Sequence, residues 1–434
     1  MVQDTPIGTN LALYEGLMTL MSGALLESRG ALIPALAQEG FDQRDSLRIW
    51  QGLAHGAWEA NALLGELNAR IEHEQAWVAL EVGGYRVKAM DTVGYYRPRL
   101  RGCTTKHYQS AAGKALPAIC LGQVGAVGHV GAQRVTVPCA VVRASGDVHS
   151  EEDLMQALAR QAAAVLSAQD VVTADRKFSP LVLLKAGCPH IVLRRPKNVT
   201  LRRAQAPAYA GRGRPPTRGA LVRPLPRSYK GRQIPASPPD ATCAWPDIRR
   251  DGTACRIEAQ LWHEVVLPAQ SHWTLADHRL MAHTVWTVVV IAHPDYAEPM
   301  VVLMNVGLNA QQAYRVVTSR WGIEQPPLVA KQLLGLHRQF VWAADMRFRL
   351  PELSLIAAGL LTYVAATVSD PTPTGWWDRQ PKPTAGRLRR QLSKVDWRQV
   401  PLAEQLRKKR SVTRHLPKGF HPALARTRAF NRLS

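Results

Sequence analysis

The sequence predicts a mixed α/β protein in which helices cover the faces of a mixed sheet and a helical module precedes that sheet. Three observations predict it. Residues 10–75 carry apolar residues at three- and four-residue spacing between glycine breaks, residues 78–195 switch between strand-like and helix-like stretches, and residues 309–370 return to helical periodicity. The chain has 434 residues, of which 46% are hydrophobic, so it can bury a sizeable core in two or three domains.

The elements of the sheet region are predicted one after another from their composition. Apolar or alternating runs punctuated by Gly and Pro predict the first strands: "WVALEV", "YRVKAMD", "PAICLGQVGAVG" and "QRVTVPCAVVRAS". Residues 151–169, with an acidic first turn, predict a helix. The strand "DVVTAD", the short helix "SPLVLLKAG" closed by Gly187 and the strand "HIVLRR" follow. This order is typical of a mixed sheet with helices on its faces.

The charge of the chain indicates a polyanionic partner. Its 55 Lys and Arg against 33 Asp and Glu give a formal net charge of +22, and cations that neutralise phosphates gain affinity by releasing counterions. Nucleic acid is the leading candidate. A membrane surface is the alternative, but there is no signal peptide and no basic amphipathic helix with an aromatic face. The longest apolar run, residues 353–368, is too short to span a membrane and predicts a buried core helix. We therefore expect a cytoplasmic protein with no membrane partner.

Two further compositional features bear on partners. Residues 202–239 are rich in Arg and Pro and contain no acid, which predicts an extended segment, disordered or laid along DNA, with a plain soluble linker as the alternative. Arg212, Arg214 and Arg218 are its candidate DNA contacts. The six cysteines form no CxxC pair, so reduced thiols are expected and a zinc site is not.

Three acids form the candidate catalytic constellation. Asp91 is predicted at the end of "YRVKAMD", Asp175 at the end of "DVVTAD", and Glu324 in the helical stretch "RWGIEQPPLVAKQLLGL". Acids at strand ends and on a helix can converge at a sheet edge, bind two hard divalent cations and support phosphoryl transfer. Arg320, Glu324 and Lys331 share one helix face, although an Arg–Glu pair at this spacing can also be a solvated ion pair worth a few tenths of a kcal/mol.

These stretches resemble the DDE transposases of bacterial insertion sequences, within the insertion-sequence-four group, which has a ribonuclease-H-like core. The similar words are "AMDTVGYYRP", "VVTADRKFSPLVLLKAG" with "HIVLRRPKN", and "YRVVTSRWGIEQPPLVAKQLLGL". The group's signature is Tyr, two residues, Arg, three residues, Glu, six residues, Lys. Arg320, Glu324 and Lys331 match it, but Val317 stands where the Tyr is expected, and Tyr314 lies one helical turn earlier as a loose substitute.

The resemblance implies roles for these residues. Asp91, Asp175 and Glu324 would hold two Mg²⁺ ions, with Mn²⁺ tolerated, while Arg320 and Lys331 would hold phosphates of the transposon end. We expect Arg176, which follows the second Asp, to contact DNA as well. Two prolines after the Glu predict that a helix begins again near Gln325, with Pro326 in its first turn, or that a longer helix bends there.

The resemblance also divides the chain into five regions. They are a helical N-terminal DNA-binding domain (1–76), the first part of the ribonuclease-H-like core (77–200), a basic linker and β-rich insertion (201–306), the second part of the core with the catalytic Glu (307–370), and a basic C-terminal tail (371–434). In the group the insertion can carry a Trp that stacks on a flipped base; Trp262 and Trp273 are candidates here, although a strand Trp is more often part of a core.

The function that the resemblance implies is cut-and-paste DNA transposition. The protein would cleave at the terminal inverted repeats and transfer the freed strand to target DNA, as a homodimer on double-stranded DNA in the bacterial nucleoid. Two alternatives stay open: a transposase-derived DNA-binding protein without strand transfer, and a ribonuclease-H-like nuclease that needs no paired ends. His107, His190 and His263 are assigned no role, because two-metal chemistry needs no histidine base.

Overall fold

The structure is a computed structural model of the chain. It describes residues 1–97, 100, 103, 105–144, 150–209, 211, 216, 218–249, 251–338, 341, 343–368, 371, 373, 375–396, 399, 401 and 406.

Five helices form the N-terminal part, as their apolar periodicity predicts. Capping residues set their limits: the Asp42 side chain accepts a hydrogen bond from the Asp45 backbone N–H, and Gly23 ends the first helix in the left-handed conformation. The helices are α1 (Thr9–Ser22), α2 (Ala24–Glu27), α3 (Leu32–Gln38), α4 (Gln43–His55) and α5 (Ala60–Glu74).

The central region contains the predicted strands and two helices. Helix α6 begins with a capping box in which Ser150 and Asp153 satisfy each other's backbone N–H groups, and α7 ends at left-handed Gly187 as predicted. The elements are β1 (Val78–Ala79), β2 (Glu81–Val82), β3 (Tyr85–Tyr96), β4 (Lys106–Gln109), β5 (Lys114–Val130), β6 (Gln133–Arg143), α6 (Glu151–Val165), β7 (Asp170–Ala174), α7 (Pro180–Ala186) and β8 (Ile191–Arg195).

The region after β8 is rich in strands, as expected, and its last two strands form an antiparallel hairpin around "HPDYAEP". Its elements are β9 (Leu201–Arg203), β10 (Leu221–Val222), β11 (Arg227–Tyr229), β12 (Arg232–Ile234), β13 (Ala241–Ile248), β14 (Ala254–Val266), α8 (Leu275–His283), β15 (Trp286–Ala292) and β16 (Met300–Met304).

The last part is mostly helical. A 3-10 segment, Arg320–Glu324, follows α9 and leads directly into α10. The elements are α9 (Ala310–Ser319), α10 (Gln325–Gln332), a second 3-10 turn (Leu336–Arg338), α11 (Met346–Thr367) and α12 (Ala385–Leu392). Pro326 stands in the first turn of α10, so the prediction that a helix begins again near Gln325 is confirmed.

Fourteen of the described strands form one large mixed sheet with helices on its faces, and β11 and β12 form a separate two-stranded sheet. This confirms the predicted α/β class. The central order of the large sheet is β6-β5-β3-β7-β8-β16-β15-β14. Strands β3, β7 and β8 are parallel, and the remaining neighbours in this series are antiparallel. The strands of the β-rich region therefore continue the same sheet beyond β8.

The prediction that Asp91 ends its strand is wrong. Strand β3 continues to Tyr96, because the long antiparallel strand β5 pairs with it along nearly its whole length. The basic stretch 202–239 also differs from the predicted extended segment in its described parts: Val222 is buried, and β10 pairs with β9 in the sheet. The expected basic tail includes helix α12, whose leucines pack against the core.

The core joins the N-terminal helices to the sheet. One hydrophobic cluster contains side chains of α1, α3, α4 and α5, of β3, β5 and β6, and of α11. Helix α11 is long and apolar enough to cross a membrane by length and composition, yet 78% of its most apolar window is buried inside the protein. Its burial matches the core helix that its sequence predicts.

Candidate active site

Two of the predicted acids lie side by side on adjacent parallel strands. Strands β3 and β7 pair up to Met90 and Ala174, so Asp91 and Asp175 are the next residue on each. Strand β7 ends there while β3 continues, which leaves the side of β3 that faced β7 open at this point. Asp175 is half-buried and Asp91 has 24% of its side chain exposed.

The segment Arg320–Glu324 brings the third acid to the same place. Its residues Gly322 and Ile323 are buried against the sheet. The Gln123 side chain donates a hydrogen bond of 2.9 Å from Nε2 to the Ile323 carbonyl oxygen. Gln123 is the residue directly opposite Asp91 across the β3–β5 pair, so the two side chains lie on the same face of the sheet. One buried hydrogen bond therefore positions the backbone next to Glu324 over the strand that carries Asp91.

Arg320 connects two of the acids. Its guanidinium lies 3.4 Å from Asp91 Oδ2 and 3.4 Å from Glu324 Oε1. The Arg320 side chain is only 9% exposed, whereas that of Glu324 is 57% exposed. The Arg–Glu ion pair that the spacing allowed is present, but it is not a solvated surface pair, because the same buried cation also compensates Asp91.

The carboxyl of Asp91 has a perturbed pKa. Its pKa is raised to about 6, mainly by burial; Arg320 and the Thr92 backbone N–H oppose the rise, and the nearby carboxylates of Glu324 and Asp175 add to it. A carboxylate that is destabilised by two others is a site where additional positive charge is favoured. The three acids are thus close enough to interact.

Lys331 belongs to the same group. Burial lowers the pKa of its ammonium, and attraction to Asp91 opposes this shift. Its Nζ lies 5.3 Å from the centre of the Tyr95 ring, within the range of a cation–π contact. The structure therefore brings Asp91, Asp175, Glu324, Arg320 and Lys331 together.

Other predicted residues lie elsewhere. Tyr314 packs against Trp245 and against His293, with which its ring is stacked at 5.9 Å, and no described contact joins it to the acids. Arg176 and Arg218 are exposed, and no described carboxylate lies within ion-pair distance of either; Arg176 directly follows Asp175. The candidates Arg212 and Arg214 lie outside the described residues.

The two candidate tryptophans differ in burial. Trp262 is fully buried, and its indole N–H donates to the carbonyl oxygens of Ser237 and Pro238, so it belongs to the core and presents no face to a base. Trp273 is half-buried against the same core and makes an edge contact with His278. Val317 is buried as well, at 4% exposure.

A fourth acid, which no sequence pattern predicted, lies beside the site. Glu151 Oε1 lies 3.0 Å from Lys177 Nζ, 3.3 Å from Thr92 Oγ1 and 3.6 Å from His107 Nδ1. Glu151 therefore contacts Thr92, which follows Asp91, and Lys177, which lies two residues after Asp175. It connects the two chain segments that carry these aspartates. Burial lowers the pKa of His107, and the positive charges of Lys177 and Lys331 lower it further. The negative charge of Glu151 opposes this shift.

The missed residues left different signals in the sequence. Gln123 is a single amide in the otherwise apolar strand "PAICLGQVGAVG", a pattern that indicates a specific buried partner. Glu151 appeared only as part of the acidic first turn of a helix, and nothing in its local pattern distinguishes it from the two acids that follow it.

The described side chains include no group of three or more His, Cys, Asp or Glu spaced to hold a metal ion. The three acids supply the oxygen ligands that hard divalent cations prefer, but the Arg320 guanidinium lies between two of them. Comparison of the sequence with models of known protein families and with curated proteins finds no match.

Proposed function

We propose that the protein is a DDE-type DNA transposase that cleaves DNA at the ends of a mobile element and transfers the freed strand. The observation that carries the proposal is the position of Arg320, within 3.4 Å of both Asp91 and Glu324. These three positions, with Asp175 and Lys331, are the ones that the resemblance to insertion-sequence transposases selects from the sequence. Asp91 is 229 residues away from Arg320 along the chain, so no local pattern brings it to the segment that carries Arg320 and Glu324.

The fold supports the same proposal. Strands β3, β7 and β8 are parallel, β5 and β6 extend the sheet antiparallel, and helices cover both faces, which is compatible with a ribonuclease-H-like core. In this arrangement Asp91 and Asp175 would contribute from adjacent strands and Glu324 from the segment packed over them. The strands after β8 would be the β-rich insertion of the group.

The carboxylate oxygens of the three acids are the type of ligand that Mg²⁺ prefers. Asp91, Asp175 and Glu324 would hold the ions, which when bound activate the attacking oxygen and stabilise the leaving oxygen of an in-line displacement. Glu324 is exposed and can move, while Asp91 is held by the sheet. Arg320 and Lys331, both cationic beside Asp91, would bind phosphate charge of the DNA through charge-assisted hydrogen bonds.

An excision assay tests the proposal. The natural coding locus with its flanking DNA is placed on a plasmid, and precise loss of the segment is scored with the wild-type protein and with Glu324→Gln. We expect excision by the wild type alone, and we expect Asp91→Ala and Asp175→Ala to abolish cleavage while DNA binding is kept. A variant that still cuts removes its residue from the catalytic set.

The assay also separates the alternatives. If the wild type binds DNA but does not excise the segment, a DNA-binding protein derived from a transposase is favoured. The structural observation that supports this alternative is the buried Val317 in place of the signature Tyr. Cleavage of DNA without joining and without dependence on paired ends favours a nuclease.

A further inference from the structure

A second cationic site lies on the sheet face that carries Asp91. A solvent-open pocket of about 330 Å³ lies between the tip of the β5–β6 hairpin and the end of α9. Arg134, His129 and Arg315 supply its charged and titratable side chains, and no acid lines it among the described residues. Within the described part of the chain, neither arginine has a carboxylate at ion-pair distance, and both are exposed. The pocket is therefore an uncompensated cluster of donors.

The pocket and the candidate active site share one face of the sheet. Residues of β5 alternate between faces, so Gln123, Val127 and His129 point the same way. Val127 and His129 line the pocket, and Gln123 lies opposite Asp91. Four to six residues of β5 separate these positions, or roughly 13–20 Å at ~3.3 Å per residue. This distance corresponds to about four to six base-pair steps at ~3.4 Å each.

The same chain segment lines both sites. Thr318 and Ser319 at the end of α9 line the pocket, and the next residue, Arg320, contacts Asp91 and Glu324. A ligand that occupies the pocket therefore touches the backbone immediately before the residues that position the acids. The His129 Nδ1 is 3.0 Å from the Gly131 carbonyl oxygen; since a carbonyl only accepts, Nδ1 donates there.

We propose that this pocket binds a backbone phosphate of the DNA strand that runs from the candidate active site along the sheet. Arg134 and Arg315 bind the phosphodiester, since guanidinium groups match its geometry and charge. The site thus holds DNA several base pairs away from the position of cleavage. The assignment rests on the proposed DNA substrate. Free inorganic phosphate has the same chemistry and is the alternative ligand. A DNA strand bound at both the active site and the pocket would prevent inorganic phosphate from binding in the pocket.

The test measures how DNA affinity depends on salt. Binding of a random-sequence duplex of about 30 base pairs is followed by fluorescence anisotropy in EDTA at several KCl concentrations, for the wild type and for Arg134→Ala/Arg315→Ala. The slope of log K against log[KCl] falls by ~0.9 for each phosphate contact that is lost, so we expect a slope shallower by about 1. The matched control is Arg160→Ala/Arg279→Ala, which removes two exposed arginines outside the pocket and should change the slope by less than about half as much.

Two further arms decide between outcomes. Arg134→Lys/Arg315→Lys keeps both charges and should keep the wild-type slope, and a urea unfolding curve of the alanine variant that matches the wild type excludes misfolding as the cause of the alanine effect. Calorimetric titration with inorganic phosphate tests the alternative ligand. If inorganic phosphate binds only when both arginines are present, and the alanine variant keeps the wild-type salt dependence of DNA binding, the DNA assignment is overturned. An alanine variant indistinguishable from the control double variant overturns it too. Because no cleavage is measured, a wild type that fails the excision assay but shows the slope change rejects the proposed function and leaves the pocket assigned.

Discussion

At the scale of single residues, Arg320 is the side chain on which the candidate site depends most. It is buried and contacts both Asp91 and Glu324. If it also binds a DNA phosphate, Arg320→Ala should weaken DNA binding and flatten the salt dependence of log K by ~0.9, while Arg320→Lys should keep the slope. Binding isotherms at several salt concentrations measure this. An unchanged slope in the alanine variant would make Arg320 a structural ion-pair partner of the acids.

Gln123 is predicted to position Glu324 without touching DNA. Gln123→Leu keeps the volume of the side chain but removes the donor to the Ile323 carbonyl, and a buried acceptor without a partner costs about 1–3 kcal/mol. We expect the rate of DNA cleavage to fall at saturating DNA, with the DNA dissociation constant unchanged. Gln311→Leu, at an exposed position of α9, is the control. A variant that loses DNA binding and cleavage equally would contradict a positioning role.

At the scale of elements, the segment Arg320–Glu324 can lie close to the sheet because two glycines make room for it. A Cβ added at Gly322 would lie 2.3 Å from Thr136 Oγ1, and one added at Gly125 would lie 2.5 Å from the Ile323 side chain. Thr136 is fully buried and β-branched, so it has little freedom to yield.

Gly322→Ala should therefore displace the catalytic segment. We expect the free energy of unfolding in urea to fall by about 1–3 kcal/mol, the usual effect of overpacking, and cleavage to be lost under conditions where the variant is still folded. Thr136→Ala/Gly322→Ala should recover much of both, because the Thr136 hydroxyl has no hydrogen-bond partner among the described residues and its removal provides the space.

Gly65→Ala serves as the matched control for that experiment. A Cβ at this position, inside α5, meets no atom within 4 Å, and alanine favours a helix over glycine by up to about 1 kcal/mol. This variant should be as stable as the wild type or more stable. If Gly322→Ala behaves in the same way, the close approach to Thr136 does not constrain the segment.

At the scale of the whole molecule, a buried acid pairs with a half-buried arginine where α11 packs between the sheet and the N-terminal helices. Glu352 of α11 is 3% exposed and lies 2.9 Å from Arg143 of β6. Burial raises the pKa of the Glu352 carboxyl from 4.5 to about 7, and Arg143 only partly opposes the rise. Arg349, one turn earlier in α11, donates to the carbonyl oxygens of Ala54, Gly56 and Trp58, which attaches the N-terminal helices to the same element.

This burial predicts that the folded protein loses stability as pH rises. An acid with a raised pKa in the folded state is protonated there while the unfolded chain is ionised, so its contribution is complete below pH 4.5 and is lost as pH rises through about 7. The expected loss is about 3 kcal/mol. Urea unfolding at several pH values measures it, and Glu352→Gln should flatten most of the dependence.

A remaining slope is expected in Glu352→Gln, because the pKa of Asp91 is also raised, to about 6, and acts in the same sense. Glu66→Gln, at an exposed position of α5, should keep the wild-type dependence. If stability instead rises between pH 5 and pH 7, Glu352 is ionised in the folded protein throughout that range.

The α/β class, most element positions and the identities of the converging charged residues are predictable from the amino-acid sequence alone. Hydrophobic periodicity and capping residues are local, so α7 ends at Gly187 and α10 begins at Gln325 with Pro326 in its first turn, as predicted. The prediction that Asp91 would end its strand failed, because the length of β3 depends on its pairing with β5 and not on its own residues.

Only the tertiary structure decided how the charges are arranged. Arg320 is buried between Asp91 and Glu324, Gln123 holds the Ile323 carbonyl, and Glu151 contacts Thr92 and Lys177. Most of these partners are far apart in the chain, and their contacts arise from strand register and from the packing of one segment over the sheet. A local pattern carries residue type and periodicity, whereas burial and the identity of a distant partner exist only once the sheet has formed.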